Sequence, residues 1–211
     1  MGTLLVSDII TRAQDVLADA GAVRWTNAEF IRWVNDAQRE IAVAQPEATA
    51  KVANLTLVAG TKQTLPAGAI ALIRLVRNMG AGGATPGEAC RQITQMLMDL
   101  HRPGWHTDTP TLAVKNWMKD PRTPRIYYVY PPMSGATIVE GVYSAIPALV
   151  AATTDAITVD DFYLSPILDY VLWRALSKDV EIPGIQTRAD AHRAAFGASL
   201  QATGAGEEKT Q

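Results

Sequence analysis

Apolar residues recur at helical spacing near the start of the chain. Ile9, Ile10 and Ala13 share one face of a helix predicted over residues 7–19. A second helix is predicted to begin at Thr26, because Thr26 and Glu29 have the spacing of a capping box. An apolar stripe follows up to Pro46, where helical angles become unfavourable.

The same period returns near the other end of the chain. A third helix is predicted over residues 162–179, capped by Asp160 or Asp161. A fourth is predicted over residues 185–202. The remaining residues 203–211 are small and polar, which predicts a flexible tail.

Between these helical regions the pattern changes to that of β-strands. Residues 52–58 read as a strand, with a turn and a short return up to residue 65. Another apolar run covers residues 70–77. A short helix is predicted over residues 94–101 from the spacing of three apolar residues, Met96, Leu97 and Leu100.

The most sustained β-rich run is residues 125–147. Two stretches of β-branched and aromatic residues flank a group of turn-forming residues: Pro131, Pro132, Ser134 and Gly135. This pattern predicts a β-hairpin with a longer loop. It contains no catalytic chemistry, so its role is expected to be structural.

These elements predict an α+β, mainly α, fold. The expected arrangement is a helical bundle of two N-terminal and two C-terminal helices with a central β-rich insertion at about 50–147. Residues 1–202 are expected to form a single domain, with 203–211 as the tail. No internal repeat or long linker divides the chain.

Composition narrows the function classes. The 211 residues carry a net charge of -2, which argues against a strongly basic nucleic-acid-binding surface. The single cysteine, Cys90, allows neither an internal disulfide nor a thiolate metal cage within one chain. Neither a signal peptide nor a membrane-spanning run is expected.

Two histidines near two carboxylates raise the alternative of a small metal-dependent enzyme. His101 and His106 lie close in sequence to Asp99 and Asp108. The Pro-Gly pair at 103–104 separates the histidines, so they do not share a helix face, and the spacing matches no recognised ligand pattern. We therefore expect no metal, no cofactor and no enzymatic activity.

A basic cluster raises a second alternative, a small nucleic-acid-binding module. The cluster comprises Lys115, Lys119, Arg122 and Arg125, which could contact an anion or could be a solvated surface. The glycine-rich stretch at 80–87 lacks the Lys-Ser or Lys-Thr ending of a phosphate-binding loop.

Aromatic side chains are the candidates for a partner interface. Large aromatic residues combine apolar area with a polar group and are enriched in such interfaces. The candidate interface residues are Tyr127, Tyr128, Tyr130 and Tyr143 of the predicted hairpin, together with Trp105 and Trp117.

Several segments, taken in order, resemble one family. They are residues 25–29 (WTNAE), 34–41 (VNDAQREI), 45–46 (QP), 57–66 (LVAGTKQTLP), 103–106 (PGWH), the run 125–147 and 169–179 (DYVLWRALSKD). Over roughly residues 5–200 this order resembles the head-to-tail adaptor (connector) proteins of tailed bacteriophages. The resemblance is greatest to the tail tubular A type of short-tailed phages.

The resemblance implies a structural virion protein, synthesised in the host bacterial cytoplasm. Its expected state is a homo-oligomeric ring, of twelve copies, beneath the portal protein. The helices would build the ring wall, the β portion would face the next tail protein, and the C-terminal segment would reach the portal. DNA would pass through the channel without sequence-specific binding, and no membrane is involved.

Overall fold

The computed structural model describes residues 2–178 and 184–207, with side chains up to residue 201. It divides into two compact units: residues 1–49 with 147–211, and residues 50–146. Five helices and two four-stranded sheets occur in the described part, which confirms the α+β class. Whether residues 1–202 act as a single domain stays a prediction.

The helices, in chain order, are α1 (Val6–Leu17), α2 (Asn27–Ala44), α3 (Gln95–His101), α4 (Leu164–Ser177) and α5 (Ile185–Glu207). Helix α5 extends beyond the predicted end at residue 202. The predicted end of the third helix at residue 179 lies outside the described residues, as does the part of the predicted tail at 208–211.

The predicted start of α2 is confirmed in atomic detail. The Thr26 hydroxyl accepts a hydrogen bond from the Glu29 N–H at 3.4 Å, and the Glu29 carboxylate accepts one from the Thr26 N–H at 3.0 Å. Each side chain thus satisfies a main-chain donor that the first helical turn leaves unpaired. Before α4, the Asp160 carboxylate accepts from the Phe162 N–H at 3.3 Å.

Helices α1, α2, α4 and α5 share one apolar core. Its residues include Val6, Ile9, Ile10 and Ala13 of α1, Phe30, Val34, Ala37 and Ile41 of α2, Ile167, Tyr170 and Val171 of α4, and Phe196 and Leu200 of α5. The first unit is therefore assembled from both ends of the chain.

Main-chain hydrogen bonds join the start of the chain to the segment that precedes α4. The Val6 N–H donates to the Asp155 carbonyl at 2.9 Å, and the Ile157 N–H donates to the Leu4 carbonyl at 3.0 Å. The Asp161 carboxylate accepts from the Thr3 N–H at 2.7 Å. These bonds hold α1 in register with the C-terminal half of its unit.

The second unit contains eight strands. They are β1 (Ala50–Leu57), β2 (Gly60–Thr64), β3 (Ala69–Met79), β4 (Pro86–Ala89), β5 (Arg91–Gln92), β6 (Asn116–Lys119), β7 (Ile126–Met133) and β8 (Thr137–Ala145). One sheet has the order β1-β8-β3-β4 and the other β2-β7-β6-β5. All neighbours are antiparallel except β5 and β6.

The predicted hairpin over residues 125–147 is wrong, because its two strands lie in different sheets. Strand β7 pairs with β2 and β6, whereas β8 pairs with β1 and β3. Leu57 lies opposite Thr137 and Gly60 opposite Met133, so the β1–β2 stretch and the β7–β8 stretch form one bent ribbon. Strands that change sheets at a bend are a feature of β-sandwich corners.

The position of the turn also differs from the prediction. Pro131 and Pro132 lie inside β7 and are buried. They fall where the register to β2 shifts between Gly60 and Lys62, so the ladder does not need the amide donors that proline lacks. Gly60 has φ 96°, a left-handed conformation that suits the bend.

The inner faces of the two sheets enclose a second core. Its residues include Leu55, Leu72, Leu75 and Val139 of the first sheet and Trp117, Tyr127, Val129 and Met133 of the second. This packing makes the second unit a β-sandwich with its own interior.

Candidate partner interface

The β7 strand turns alternate side chains to opposite sides of its sheet. Tyr127 and Val129 belong to the sandwich core, whereas Tyr128 and Tyr130 pack on a separate cluster on the other side. This is the period-two alternation of a strand. The cluster, here called the outer cluster, comprises Met98, Trp105 and Met118 with Ile93, Tyr128 and Tyr130 packed against it.

Trp105 is the centre of the outer cluster. It is fully buried, and its indole N–H donates to the Asp99 carboxylate at 2.8 Å. The Tyr128 ring meets it edge-on with centroids 6.0 Å apart, and the His106 ring stacks on it at 3.7 Å. These contacts satisfy both the apolar and the polar part of the indole.

Tyr130 lies beside an ion pair at the edge of the outer cluster. The Arg102 guanidinium lies 5.6 Å from the Tyr130 ring centroid, and its Nε is 2.6 Å from Asp108 Oδ2. Asp108 raises the pKa of Arg102. Burial, followed by a hydrogen bond to Asp108, raises the pKa of Tyr130. Tyr130 therefore stays a neutral phenol near neutral pH.

The residues of the metal-site alternative have other contacts. Asp99 binds Trp105, Asp108 pairs with Arg102, and His106 Nδ1 lies 2.8 Å from the Thr61 hydroxyl. Within residues 2–178 and 184–207, no group of three or more His, Cys, Asp or Glu side chains could hold a metal ion.

Helix α3 exposes the three apolar residues from which it was predicted. Met96 is 80% exposed, Leu97 46% and Leu100 71%, whereas Met98 is buried against the outer cluster. We call these three exposed residues the α3 patch. Beside Met96 lies an open cleft of 550 Å³ that also includes Ile93. Sequence periodicity over a two-turn helix could not separate the buried side from the exposed side.

The structure separates the six candidate interface residues by burial. Trp105, Trp117 and Tyr127 have exposures of 0%, 1% and 1%. Tyr128, Tyr130 and Tyr143 are half-buried, and Tyr143 lies in the other sheet, packed on the sandwich core. Their role in an interface stays a prediction. The α3 patch was not predicted as a surface.

Lys115 immediately precedes β6, Lys119 ends it, and Arg122 and Arg125 lie in the connection to β7. Lys119 Nζ lies 5.9 Å from the Trp117 ring centroid, and the Arg125 guanidinium donates to the Pro66 carbonyl at 3.3 Å. The Arg122 N–H donates to the Asp120 carboxylate at 2.9 Å. These contacts involve the side chains of Lys119 and Arg125 and the main chain of Arg122, and contact of the cluster with nucleic acid stays a prediction.

Fold and surface together define the class of the protein. It is an α+β protein with a helical unit, a β-sandwich unit and an exposed apolar patch typical of protein–protein contact. Across the described ranges, no helix has the length and apolar character required to cross a membrane.

The chain belongs to the SU10 adaptor protein family, because a model of that family matches residues 5–211. No curated protein matches the chain. Membership confirms the prediction of a phage adaptor, a structural component of the virion, and implies interaction with portal and tail proteins. The short-tailed, tail tubular A-like subtype stays a prediction.

Proposed function

We propose that this chain is the head-to-tail adaptor of a short-tailed phage, with twelve copies forming a ring beneath the portal. The ring connects the DNA-filled capsid to the tail and surrounds a channel for DNA. The observation that supports this proposal most strongly is the family match over residues 5–211.

The β-sandwich unit is the part that faces the next tail protein in this proposal. The α3 patch supports this, because a partner that covered its three exposed apolar side chains would remove their apolar area from water. Tyr128 and Tyr130 lie behind them in the outer cluster and keep α3 in place.

The charge of the chain suits a channel that releases DNA. A net charge of -2 gives little general attraction to phosphates, and binding by counterion release depends on many basic contacts. The low net charge therefore suits passage of DNA without tight electrostatic binding, and the proposal includes no sequence-specific contact. The C-terminal segment 203–211 docks on the portal protein.

Mixing the purified chain with portal rings of the same phage, followed by electron microscopy, tests the proposal. The expected product is a portal carrying an additional ring at one end. Failure to associate while the portal rings remain intact would contradict the adaptor function.

Two variants test portal docking and tail-protein capture separately. Deleting residues 203–211 should weaken portal docking while thermal unfolding of the free chain changes little. Replacing Met96 and Leu100 by serine should leave the ring on the portal but reduce capture of the tail protein. The matched control replaces Val43 and Val23, exposed apolar residues of the helical unit, by serine.

A further inference from the structure

The sheet with the order β1-β8-β3-β4 ends in two strands that each have one neighbour. Strand β1 pairs with β8 alone and β4 with β3 alone among the strands of the described residues. The outer main-chain groups of such edge strands are a template for pairing with another chain.

Apart from the charge of Lys51, strand β1 lacks the usual protection of an edge. It pairs with β8 residue for residue over Ala50–Leu57, without a bulge, and contains no proline. Ala50, Lys51 and Val52 are all exposed, although successive residues of a strand point to opposite faces. The beginning of β1 is therefore open on both faces as well as at its edge.

Strand β4 is exposed along its whole length, Pro86–Ala89. Its N-terminal proline limits pairing to the three residues that follow. Strand β4 is therefore a short edge strand that can pair along part of a longer one. The opposite edge strand, β1, is long enough to accept it.

The directions of the two edges are complementary. The sheet has four strands, and each is antiparallel to its neighbour. Strands β1 and β4 therefore run in opposite directions. When copies follow one another in the same orientation, β1 of one copy meets β4 of the next in antiparallel sense, which continues the alternation of the sheet.

The charges of the two edges are complementary as well. Lys51 is the charged residue of β1, and Glu88 is the charged residue of β4. Both side chains are exposed. Placing them directly opposite aligns Gly87 with Val52 and Ala89 with Ala50. Opposite charges at such positions favour one register.

We propose that β1 of one copy pairs antiparallel with β4 of a second copy of this chain, with Lys51 opposite Glu88. This inference rests on the proposed ring, because a head-to-tail contact of this kind repeats around a closed ring. The eight-strand sheet formed by two copies removes one open edge from each.

Disulfide cross-linking of the variant Lys51→Cys/Glu88→Cys tests the pairing. Directly opposite residues bring their Cβ atoms close enough for a disulfide. Oxidised adaptor–portal complexes should give a ladder of covalent multimers on a non-reducing gel, and reductant should collapse it to monomer. The native Cys90 should not interfere, because it is buried and burial raises its pKa to about 11.

Controls distinguish this contact from others. Neither single-cysteine variant should give the ladder, and Lys51→Cys combined with Asp190→Cys, an exposed acidic position on α5, should remain monomeric. Covalent dimers from Lys51→Cys alone would instead indicate that β1 pairs with its own copy about a two-fold axis, and would overturn the inference.

Electron microscopy of the same samples under reducing conditions separates the two proposals. Rings on the portal without a cross-linked ladder would overturn the β1–β4 contact and leave the adaptor function standing. Absence of the ladder, together with absence of rings when the natural chain is mixed with the portal, would overturn both. Lys51→Glu should also reduce ring formation, and Glu88→Lys in the same chain should restore it.

Discussion

The helical unit and the β-sandwich unit each contain an asparagine that pairs with both main-chain groups of a distant valine. In the helical unit, Asn35 donates to the Val150 carbonyl and accepts from the Val150 N–H, both at 2.9 Å. In the sandwich, Asn78 makes the same two bonds to Val114 at 2.7 Å. In both units, the asparagine amide thus supplies the donor and the acceptor that a neighbouring strand would offer to the valine main chain.

The two pairs differ in the length of chain that they close. Asn35 and Val150 are 115 positions apart, whereas Asn78 and Val114 are 36 apart. The helical unit adds other contacts of long separation, such as the Trp25 indole N–H to the Ala175 carbonyl at 3.1 Å. One unit is therefore built from both ends of the chain, and the other from one continuous segment.

Fragments test this difference and should give the largest effect. Residues 50–146 expressed alone should keep their β signal in circular dichroism, because both sheets and their core lie within the fragment. Residues 147–211 alone should lose most of their helix signal, since the core partners of α4 and α5 belong to α1 and α2. A helical 147–211 fragment would contradict the comparison.

Core truncation should have the next largest effect. Trp117→Ala in the sandwich and Phe30→Ala in the helical unit should each reduce the free energy of unfolding by about 3–5 kcal/mol, because both side chains are buried. Urea denaturation measures the loss. Met96→Ala, at an 80% exposed position, is the control and should change it by less than about 0.5 kcal/mol.

The two asparagines allow a direct comparison of the shared contact. Asn78→Ala should reduce the free energy of unfolding by about 2–3 kcal/mol, because Asn78 is buried and its amide also donates to the Glu88 carbonyl at 3.0 Å. Asn35→Ala should cost about 1–2 kcal/mol, since Asn35 is half-buried. Asn27→Ala, on the exposed side of α2, is the matched control. Equal costs at Asn35 and Asn78 would show that burial does not set the difference.

A surface contact of the helical unit should give the smallest effect. Lys178 lies 2.6 Å from Glu29, and this hydrogen bond, followed by that from Thr26, lowers the pKa of Glu29 from 4.5 to about 2. A lowered pKa in the folded state stabilises the protein above about pH 4.5, and this contribution is lost as the pH falls towards 2.

Glu29→Gln should therefore reduce stability at pH 7 by no more than about 1 kcal/mol, since both partners are partly exposed. The difference from the natural chain should shrink as acid is added, down to the lowest pH at which both remain folded. Asp36→Asn is the control, because its distance of 3.9 Å to Arg39 makes a weak pair. A difference that grew on acidification would contradict the assignment.

Candidate site residues were predictable by type but not by exposure. The run 125–147 placed tyrosines in strands correctly, and Tyr127 and Tyr128 do point to opposite sides. Which side is open depends on α3 and Trp105, which cover the outer face of β7. Met96 and Leu100 helped to predict α3, but the spacing of apolar residues in a short helix does not show which of them are buried.

Elements whose formation depends on residues close in sequence could be predicted from local physical chemistry. Thr26 and Glu29 marked the start of α2 because a capping box acts over three positions. The overall order of helices, β-rich section and helices followed from the change of period between 3.6 and 2.

Strand partners were decided by the tertiary structure. A run such as residues 125–147 has the same alternation whether its halves pair with each other or with β1, β2, β3 and β6, because alternation specifies faces and not neighbours. The sandwich core selects the second arrangement, since it buries Leu55, Val139 and Trp117 together. The sequence alone indicated the long helices and the strands β1, β2, β3, β7 and β8, but not β4 or β5, and long-range packing determined how the strands pair.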